Sequence, residues 1–273
     1  MITGTSLFFD RGRDRMTALS AQADALQSQI ASGKKLTEAS QDSAGWQRLQ
    51  RLVQAKSDTN AYAGNIGFAK SLLEQTDTAL GSITTQLTRA SELAIQVNGG
   101  TLSPSARAIV ADQLDAIVAD LAAIGQRKDA RGLPLFDASA AQIPIGEGIA
   151  VAGNEDPARV FGTIAATLTT YAASLRTAAD PAAASAVAIA AVSGAIGNVT
   201  AIQGAAGARA ARVELFAAAA QDAAIVTEAQ RSTVEDADLT ATIADLQKTM
   251  TILQATQASF TKLTSLNLFE YLR

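Results

Sequence analysis

Residues 239–272 read LTATIADLQKTMTILQATQASFTKLTSLNLFEYL, and this stretch decides the fold. Apolar side chains recur in it at alternating steps of four and three residues, the spacing of one face of a coiled-coil helix. The face comprises Leu239, Ile243, Leu246, Met250, Leu253, Gln257 and Phe260, and Leu266, Leu268, Phe269, Tyr271 and Leu272 extend its apolar character. Because chain ends are usually polar and frayed, an apolar end of this length predicts burial against another helix.

The amino-terminal segment carries a second helical face of the same design. Its members repeat at steps of three and four residues and are Met16, Leu19, Ala23, Leu26 and Ile30. Ser32-Gly33 ends the periodic pattern, and a polar loop over residues 37–45 follows, with Ser40 or Asp42 available to cap the next helix. Two such arms predict pairing within one chain or between copies, and we expect the apolar faces to be completed between copies.

The segment between the arms is also mostly helical in pattern. A three-four alternation predicts one long helix from about residue 46 to 97, ended by Asn98-Gly99-Gly100. Ser103 and Pro104 then begin another helix as N-cap and first helical residue. Residues 142–151 read as short strands, and one helix is predicted from Asp156-Pro157 to about residue 175. A further helix opens at Asp180-Pro181.

The predicted fold class is therefore mainly α. It is an elongated bundle of long antiparallel coiled-coil helices formed by the N- and C-terminal arms, with a small β-containing central insert. Three segments are expected. Residues 1–35 with 240–273 form a terminal helical assembly domain, residues 36–136 with 181–239 form a long helical rod, and residues 137–180 form the small insert with short strands and one short helix.

The composition excludes much chemistry. Cysteine and histidine are both absent, which removes thiolate and imidazole groups as metal ligands, nucleophiles and general bases. We expect no enzyme activity, no cofactor and no metal. Glu235, Asp236 and Asp238 form the one carboxylate cluster considered for a metal, and their spacing favours capping or solvation.

Charge and hydropathy limit which partners are expected and how the chain would be exported. Lys and Arg number 22 against 26 Asp and Glu, and no large basic block is present, so nucleic acid is not an expected partner. The uncharged run over residues 181–208 is rich in alanine and glycine and favours a packed helix, so membrane insertion is not expected. Charged residues from Asp10 onward argue against a cleavable signal peptide. Gly204 to Gly207 reads as a close-packed helical stretch, and Arg89 can pair with Glu92.

Several motifs together resemble the bacterial flagellin superfamily. Residues 26–35 read LQSQIASGKK and precede Ala39, Asp42 and Ala44-Gly45, which is similar to the amino-terminal signature of that family. Residues 87–96, residues 207–209 and residues 234–238 resemble its later helical segments. The chain departs from the family at Gln41, where flagellins commonly have the first of two aspartates. The resemblance covers roughly residues 1–136 and 160–273.

The resemblance implies a structural subunit of the bacterial flagellum, exported by the flagellar type III apparatus and assembled outside the cell. Residues 265–272, SLNLFEYL, resemble the tail of the junction branch of the family, which implies an adaptor at the hook-filament junction. The implied partners are further copies of the chain, flagellin, a hook-associated protein on the hook side and an export chaperone. Arg89 and Glu92 fall where the family makes subunit contacts. A filament flagellin and, more distantly, a cytoplasmic coiled-coil scaffold remain alternatives.

Overall fold

The fold consists of long helices and one small sheet. A computed structural model describes the backbone of residues 2–139, 142–177 and 181–271, and the side chains in these ranges except those of residues 2–6, 8 and 263–271. Its elements in chain order are α1 (Ile2–Ser32), α2 (Ser43–Asn98), α3 (Pro104–Gly125), β1 (Gln142–Gly146), β2 (Ile149–Ala152), α4 (Pro157–Phe161), α5 (Ile164–Thr177), α6 (Ala182–Glu235) and α7 (Leu239–Tyr271). The predicted class, mainly α with a small β-containing insert, is confirmed.

The helix boundaries follow from capping residues and glycines. Ser103 is the N-cap of α3, and its side chain accepts a hydrogen bond from the Ala106 amide at 3.2 Å, with Pro104 in the first turn. Gly33 and Gly100, just after α1 and α2, have φ of 71° and 72°, the left-handed backbone that ends helices at low cost for glycine. The predicted ends of α1 and α2 and the predicted start of α3 are therefore confirmed.

The chain forms two compact units, unit 1 with residues 1–57 and 225–273, and unit 2 with residues 58–224. The core of unit 2 draws on α2, α3, α5, α6 and the β-hairpin. The α2 face with a three-four alternation is buried there throughout, and its members are Ile66, Ala69, Leu73, Thr76, Leu80, Ile83, Leu87, Ala90, Ala94 and Val97. The division into three segments proposed from the sequence stays a prediction.

The sheet of unit 2 is one antiparallel hairpin. β1 pairs with β2 so that Ile143 lies opposite Val151, and both side chains are buried, as is Ile145. Alternate residues of β1 point outward, which is the period of a strand with one face on a core. The predicted strands are confirmed.

Two expectations about helices are wrong. The single helix predicted from residue 157 to 175 is two helices, because Gly162 takes φ 49° and closes α4 before α5 begins. The predicted close packing at Gly204 and Gly207 is absent, since a Cβ added at either position would meet no atom within 4 Å. These glycines lie on the open side of α6.

Within the described residues, α6 is the one helix long and apolar enough to cross a membrane. Length and composition alone do not separate a membrane span from a core helix of a soluble protein. Val192, Val199 and Val213 of α6 are fully buried in unit 2, whereas Val187 and Leu215 of the same helix are exposed. That α6 does not enter a membrane stays a prediction.

Candidate assembly interface

The two terminal helices pair in unit 1 in antiparallel orientation. At one end, the Ala237 amide donates to the Gly33 carbonyl at 2.9 Å. At the other end, the rings of Phe9 and Phe260 meet edge to face with centroids 5.5 Å apart. The beginning of α1 therefore lies against the later part of α7.

The face that α1 turns toward α7 is the one predicted from its sequence. Ala23 is buried, and Met16, Leu19, Leu26 and Ile30 are half-buried. Gly12 belongs to the same face, because a Cβ there would come within 2.9 Å of the Phe260 ring. A small residue at this point lets the Phe260 ring lie directly on the α1 backbone.

The inner face of α7 differs from the predicted one. Its most buried side chains are Thr242 and Thr249, which alternate with half-buried Leu246, Leu253 and Phe260. The Thr242 hydroxyl donates to the Asp238 carbonyl at 2.7 Å, so its polar atom is satisfied by the backbone of its own helix. Threonine can therefore occupy a buried seam position without leaving an unpaired hydroxyl.

The remaining apolar residues of the predicted α7 face form an outer row, which we define as Leu239, Ile243 and Met250. Their exposed fractions are 46%, 44% and 40%. Steps of four and seven residues keep them on one side of the helix, next to the seam but outside it. The predicted single face is thus two adjacent faces, of which one contacts α1 and the other is open.

The loop between α1 and α2 and the loop between α6 and α7 lie side by side in unit 1. The Lys35 amide donates to the Glu235 carbonyl at 2.7 Å, which joins the end of α1 to the end of α6. Asp42 caps α2 by accepting from the Ala44 amide at 3.1 Å and from the Gly45 amide at 3.0 Å. Asp238 caps α7 in the same way. A carboxylate therefore begins each helix that leaves this junction.

Gln41, the departure from the family pattern, closes the loop before α2. Its Oε1 atom accepts from the Thr37 amide at 2.8 Å and from the Glu38 amide at 3.3 Å. A neutral amide oxygen is thus sufficient to organise this loop.

An ion-pair network stabilises the same region. Glu228 of α6 accepts from Arg231 at 2.7 Å and from Lys56 of α2 at 2.9 Å. These hydrogen bonds lower the pKa of Glu228 from its ordinary value of 4.5 to about 2. Glu235, nearly buried, pairs with Arg231 and with Lys34. The network joins α2, α6 and the loop that follows α1.

The other predicted site residues are placed as follows. Asp238 caps a helix and Glu235 is paired with cations, and no group of three or more acidic side chains in the described part of the chain has the arrangement of a metal site. Arg89 and Glu92 pair at 3.0 Å on an exposed surface of unit 2. The side chains of Leu266, Leu268, Phe269 and Tyr271, and the whole of Leu272, lie outside the described residues.

Sequence reasoning missed three contributors to this region. These are the seam threonines, the Gln41 loop closure and the Glu228 network. Thr242, Thr249 and Thr256 recur every seven residues, and with Leu246, Leu253 and Phe260 they make a complete four-three alternation. This alternation would have predicted the inner face of α7 if threonine had been included among the residues that can occupy a helix-helix contact.

Comparisons with known proteins give matches to proteins of the bacterial flagellum. Residues 11–141 match the bacterial flagellin N-terminal helical region. Flagellar hook-associated protein 3 of Salmonella typhimurium is 26% identical over 136 residues, which are 50% of this chain and 43% of that protein. The matched part thus spans less than half the length of this relative.

Two further comparisons extend over more of the chain. A flagellin of Listeria innocua is 25% identical over 252 residues, or 88% of this chain and 87% of that one. The solved structure of a flagellar hook-associated protein from Vibrio parahaemolyticus shares the fold with a TM-score of 0.67 at 15% identity, covering 72% of this chain and all of that one. The paired terminal helices, the loop after Gly33 and these matches lead to one conclusion: over residues 11–141 this chain is similar to the N-terminal helical region of bacterial flagellins.

Proposed function

We propose that this chain is a structural subunit of the bacterial flagellum that serves as the adaptor at the hook-filament junction. The match to hook-associated protein 3 and the fold shared with a hook-associated protein support this assignment. The SLNLFEYL run at residues 265–272 supports it from the sequence side. The subunit would act outside the cell, as part of the flagellum.

The observation that carries the proposal is the outer row of α7. Its three apolar side chains are open although the seam beside them is filled by α1. Burying the remaining exposed surface of each would contribute about 2 kcal/mol at ~25 cal/mol per Å². Aligned on one helix face, they suit a contact with a helix of a neighbouring subunit.

The mechanism is mechanical. Contacts between different faces of successive subunits do not close on themselves, so they build an open helical assembly or one layer of it. The terminal helices would form the inner part of this assembly, together with Leu266, Leu268, Phe269, Tyr271 and Leu272. The exposed pair of Arg89 and Glu92 would contribute further subunit contacts from unit 2.

The proposed partners follow from the position of such an adaptor. Further copies of the chain would lie in the same layer, with a hook-associated protein on the hook side and flagellin on the filament side. A cytoplasmic export chaperone would hold the apolar terminal helices before export.

Deletion of the gene tests the assignment. We expect cells with complete hooks, no attached filaments and flagellin released into the medium. Immunogold labelling of the wild-type protein should give one spot near each hook. Labelling along whole filaments would contradict the adaptor assignment.

A matched pair of variants tests the outer row. Ile243→Glu places a charge in the row, whereas Ala255→Glu adds the same charge at an exposed position about 120° around the helix. We expect both proteins to fold and to be exported, and only Ala255→Glu to restore filaments in the deletion strain. Restoration of filaments by Ile243→Glu would show that the outer row is not part of the interface.

Filament flagellin is the second candidate, and the long match to the Listeria flagellin favours it. It predicts labelling along the filament and loss of the filament polymer itself on deletion, with no release of flagellin. A cytoplasmic coiled-coil scaffold, the more distant alternative, predicts that residues 1–30 and 245–273 are protected from hydrogen exchange in the isolated chain. Rapid exchange there that becomes slow on assembly would contradict it.

A further inference from the structure

The chain contains three methionines, and the structure places two of them in contrasting surroundings. Met250 lies in the outer row of α7 with 40% of its surface exposed. Met16 is half-buried on the inner face of α1, directed at α7. Met1 lies outside the described residues. The two described thioethers thus belong to one unit but differ in access to solvent.

We propose that Met250 is a site of reversible oxidation by peroxides, and that its sulfoxide blocks assembly of the free subunit. This inference rests on the proposed function, because it requires the outer row to become buried between subunits. The oxidant class is hydrogen peroxide and related small oxidants. No group other than the thioether is required on the protein.

The reaction is a transfer of one oxygen atom. A lone pair on the Met250 sulfur attacks one peroxide oxygen, the S–O bond forms as the O–O bond breaks, and water leaves after proton transfer. The sulfur is oxidised by two electrons and the peroxide is reduced by two. A methionine sulfoxide reductase reverses the change with a thiol as the reductant, which yields a disulfide and water.

The position of Met250 determines the consequence of the added oxygen. A sulfoxide is polar and carries a strong hydrogen-bond acceptor, whereas its row neighbours Leu239 and Ile243 are apolar. On the free subunit the new oxygen faces water, so the fold is little changed. In a helix-helix contact it would lose water without gaining a donor from the row, and burial without a partner is unfavourable.

The exposure of its side chain to solvent also explains why Met250 would be oxidised in preference to Met16. Oxidation of methionine follows exposure of the sulfur, and the seam side of α7 and the inner side of α1 are covered by the pairing of the two helices. Met16 would react more slowly than Met250 in the folded chain. Once Met250 is covered by a neighbouring subunit, it would be protected as well.

The first test measures selectivity on the purified full-length chain. The protein is treated with a graded series of hydrogen peroxide concentrations, and sulfoxide at Met16 and Met250 is quantified by peptide mass spectrometry. We expect Met250 to react several-fold faster, and unfolding in urea to remove the difference. Equal rates in the folded chain would overturn the inference.

The second test measures assembly. Purified protein is added to hooks of the deletion strain, and the fraction of hooks that then grow filaments is counted. Oxidised wild-type protein should need an about tenfold higher concentration than untreated protein, and treatment with the reductase and dithiothreitol should restore it. The concentration of Met250→Leu protein that filament growth requires should be the same before and after peroxide, and Met250→Gln should fail without peroxide.

The outcomes separate the inference from the proposed function. Untreated protein that restores no filaments contradicts the adaptor function, and this is seen before any oxidation. Untreated protein that works while its Met250 sulfoxide form works equally well leaves the function intact and overturns the inference. Loss of activity in oxidised Met250→Leu would also overturn it, because another residue would then be responsible. Thermal unfolding curves of all forms check that the fold persists.

Discussion

Glu155 is a buried acidic residue of unit 2, and its side chain pairs with α6. It pairs with Arg209 and more distantly with Arg159 at 3.9 Å. Arg209 also donates to the Ala152 carbonyl at 3.3 Å, and burial lowers its pKa. The backbone carbonyl of Glu155 accepts from the Asp137 amide, so one residue connects three segments. Buried charges of this kind are favourable only while both are present.

Removing one member of this pair should therefore cost more than removing both. Glu155→Gln leaves the Arg209 guanidinium partly buried without its counter-charge, and we expect a loss of about 3 kcal/mol in the free energy of unfolding. The double variant Glu155→Leu with Arg209→Met should lose less than the sum of the single variants. Urea unfolding of the four proteins measures this, and additive losses would show that the pair is not coupled.

Gly45 offers a second prediction at this scale. A Cβ at this position would lie 2.3 Å from Oδ2 of Asp42, the residue that caps α2. Gly45→Ala should displace the cap and lower stability by about 1 kcal/mol, as measured by thermal unfolding. Gly64→Ala is the matched control in the same helix, where a Cβ meets nothing within 4 Å and alanine should instead stabilise by up to about 1 kcal/mol. Equal effects of both changes would contradict the capping role.

At the scale of the helices, the error in α7 shows where sequence patterns stop being sufficient. The positions of the long helices followed from glycines, caps and the period of α2 and α3, all of which act locally. The face of α7 depended on which of two overlapping alternations meets α1, and both are compatible with a helix. Leucine, isoleucine and methionine defined the predicted face, but threonines that bond to their own backbone were buried instead. The choice between the two faces is made by tertiary packing, which no single helix encodes.

Glu228 connects α2 to α6 in unit 1, and its pKa predicts a pH dependence. Because the folded value, about 2, lies below the ordinary value of 4.5, its contribution to stability is complete above pH 4.5 and is lost as the pH falls toward 2. The difference in melting temperature between wild type and Glu228→Gln should be constant from pH 7 to about pH 5 and should shrink below that.

The same series in high salt should show a smaller difference, since the groups are exposed and screened. Glu147→Gln, at an exposed turn of the hairpin, is the control for loss of a carboxylate as such. A difference between wild type and Glu228→Gln that grows toward pH 2 would have the wrong sign for this network.

At the scale of the whole chain, the fold class and the resemblance to flagellins could be predicted from the sequence because several weak signals agreed. The SGKK turn after α1, the length of α2 and the apolar terminal segments point to the same architecture. The Glu155 pair and the Glu228 network were not accessible, because their members are 54 and 172 residues apart and only folding brings them together.

The carboxyl-terminal segment permits a prediction for the whole chain. Removing residues 266–273 takes away five apolar side chains and leaves the described contacts of both units in place, so we expect a folded protein that is exported and does not assemble. Circular dichroism and thermal unfolding report the fold, and filament attachment in the deletion strain reports assembly. Removing Arg273 alone is the control, since it leaves the apolar run intact. Filament attachment by the longer truncation would show that this segment is dispensable.

The side-by-side helix breaks of unit 1 have a consequence for force. The Ala237 amide donates to the Gly33 carbonyl, and the Lys35 amide donates to the Glu235 carbonyl, so the loop after α1 and the loop after α6 are held together within unit 1. A pull on the end of α1 or of α7 is therefore shared between both loops. Neither loop can open under load without first losing its hydrogen bonds to the other.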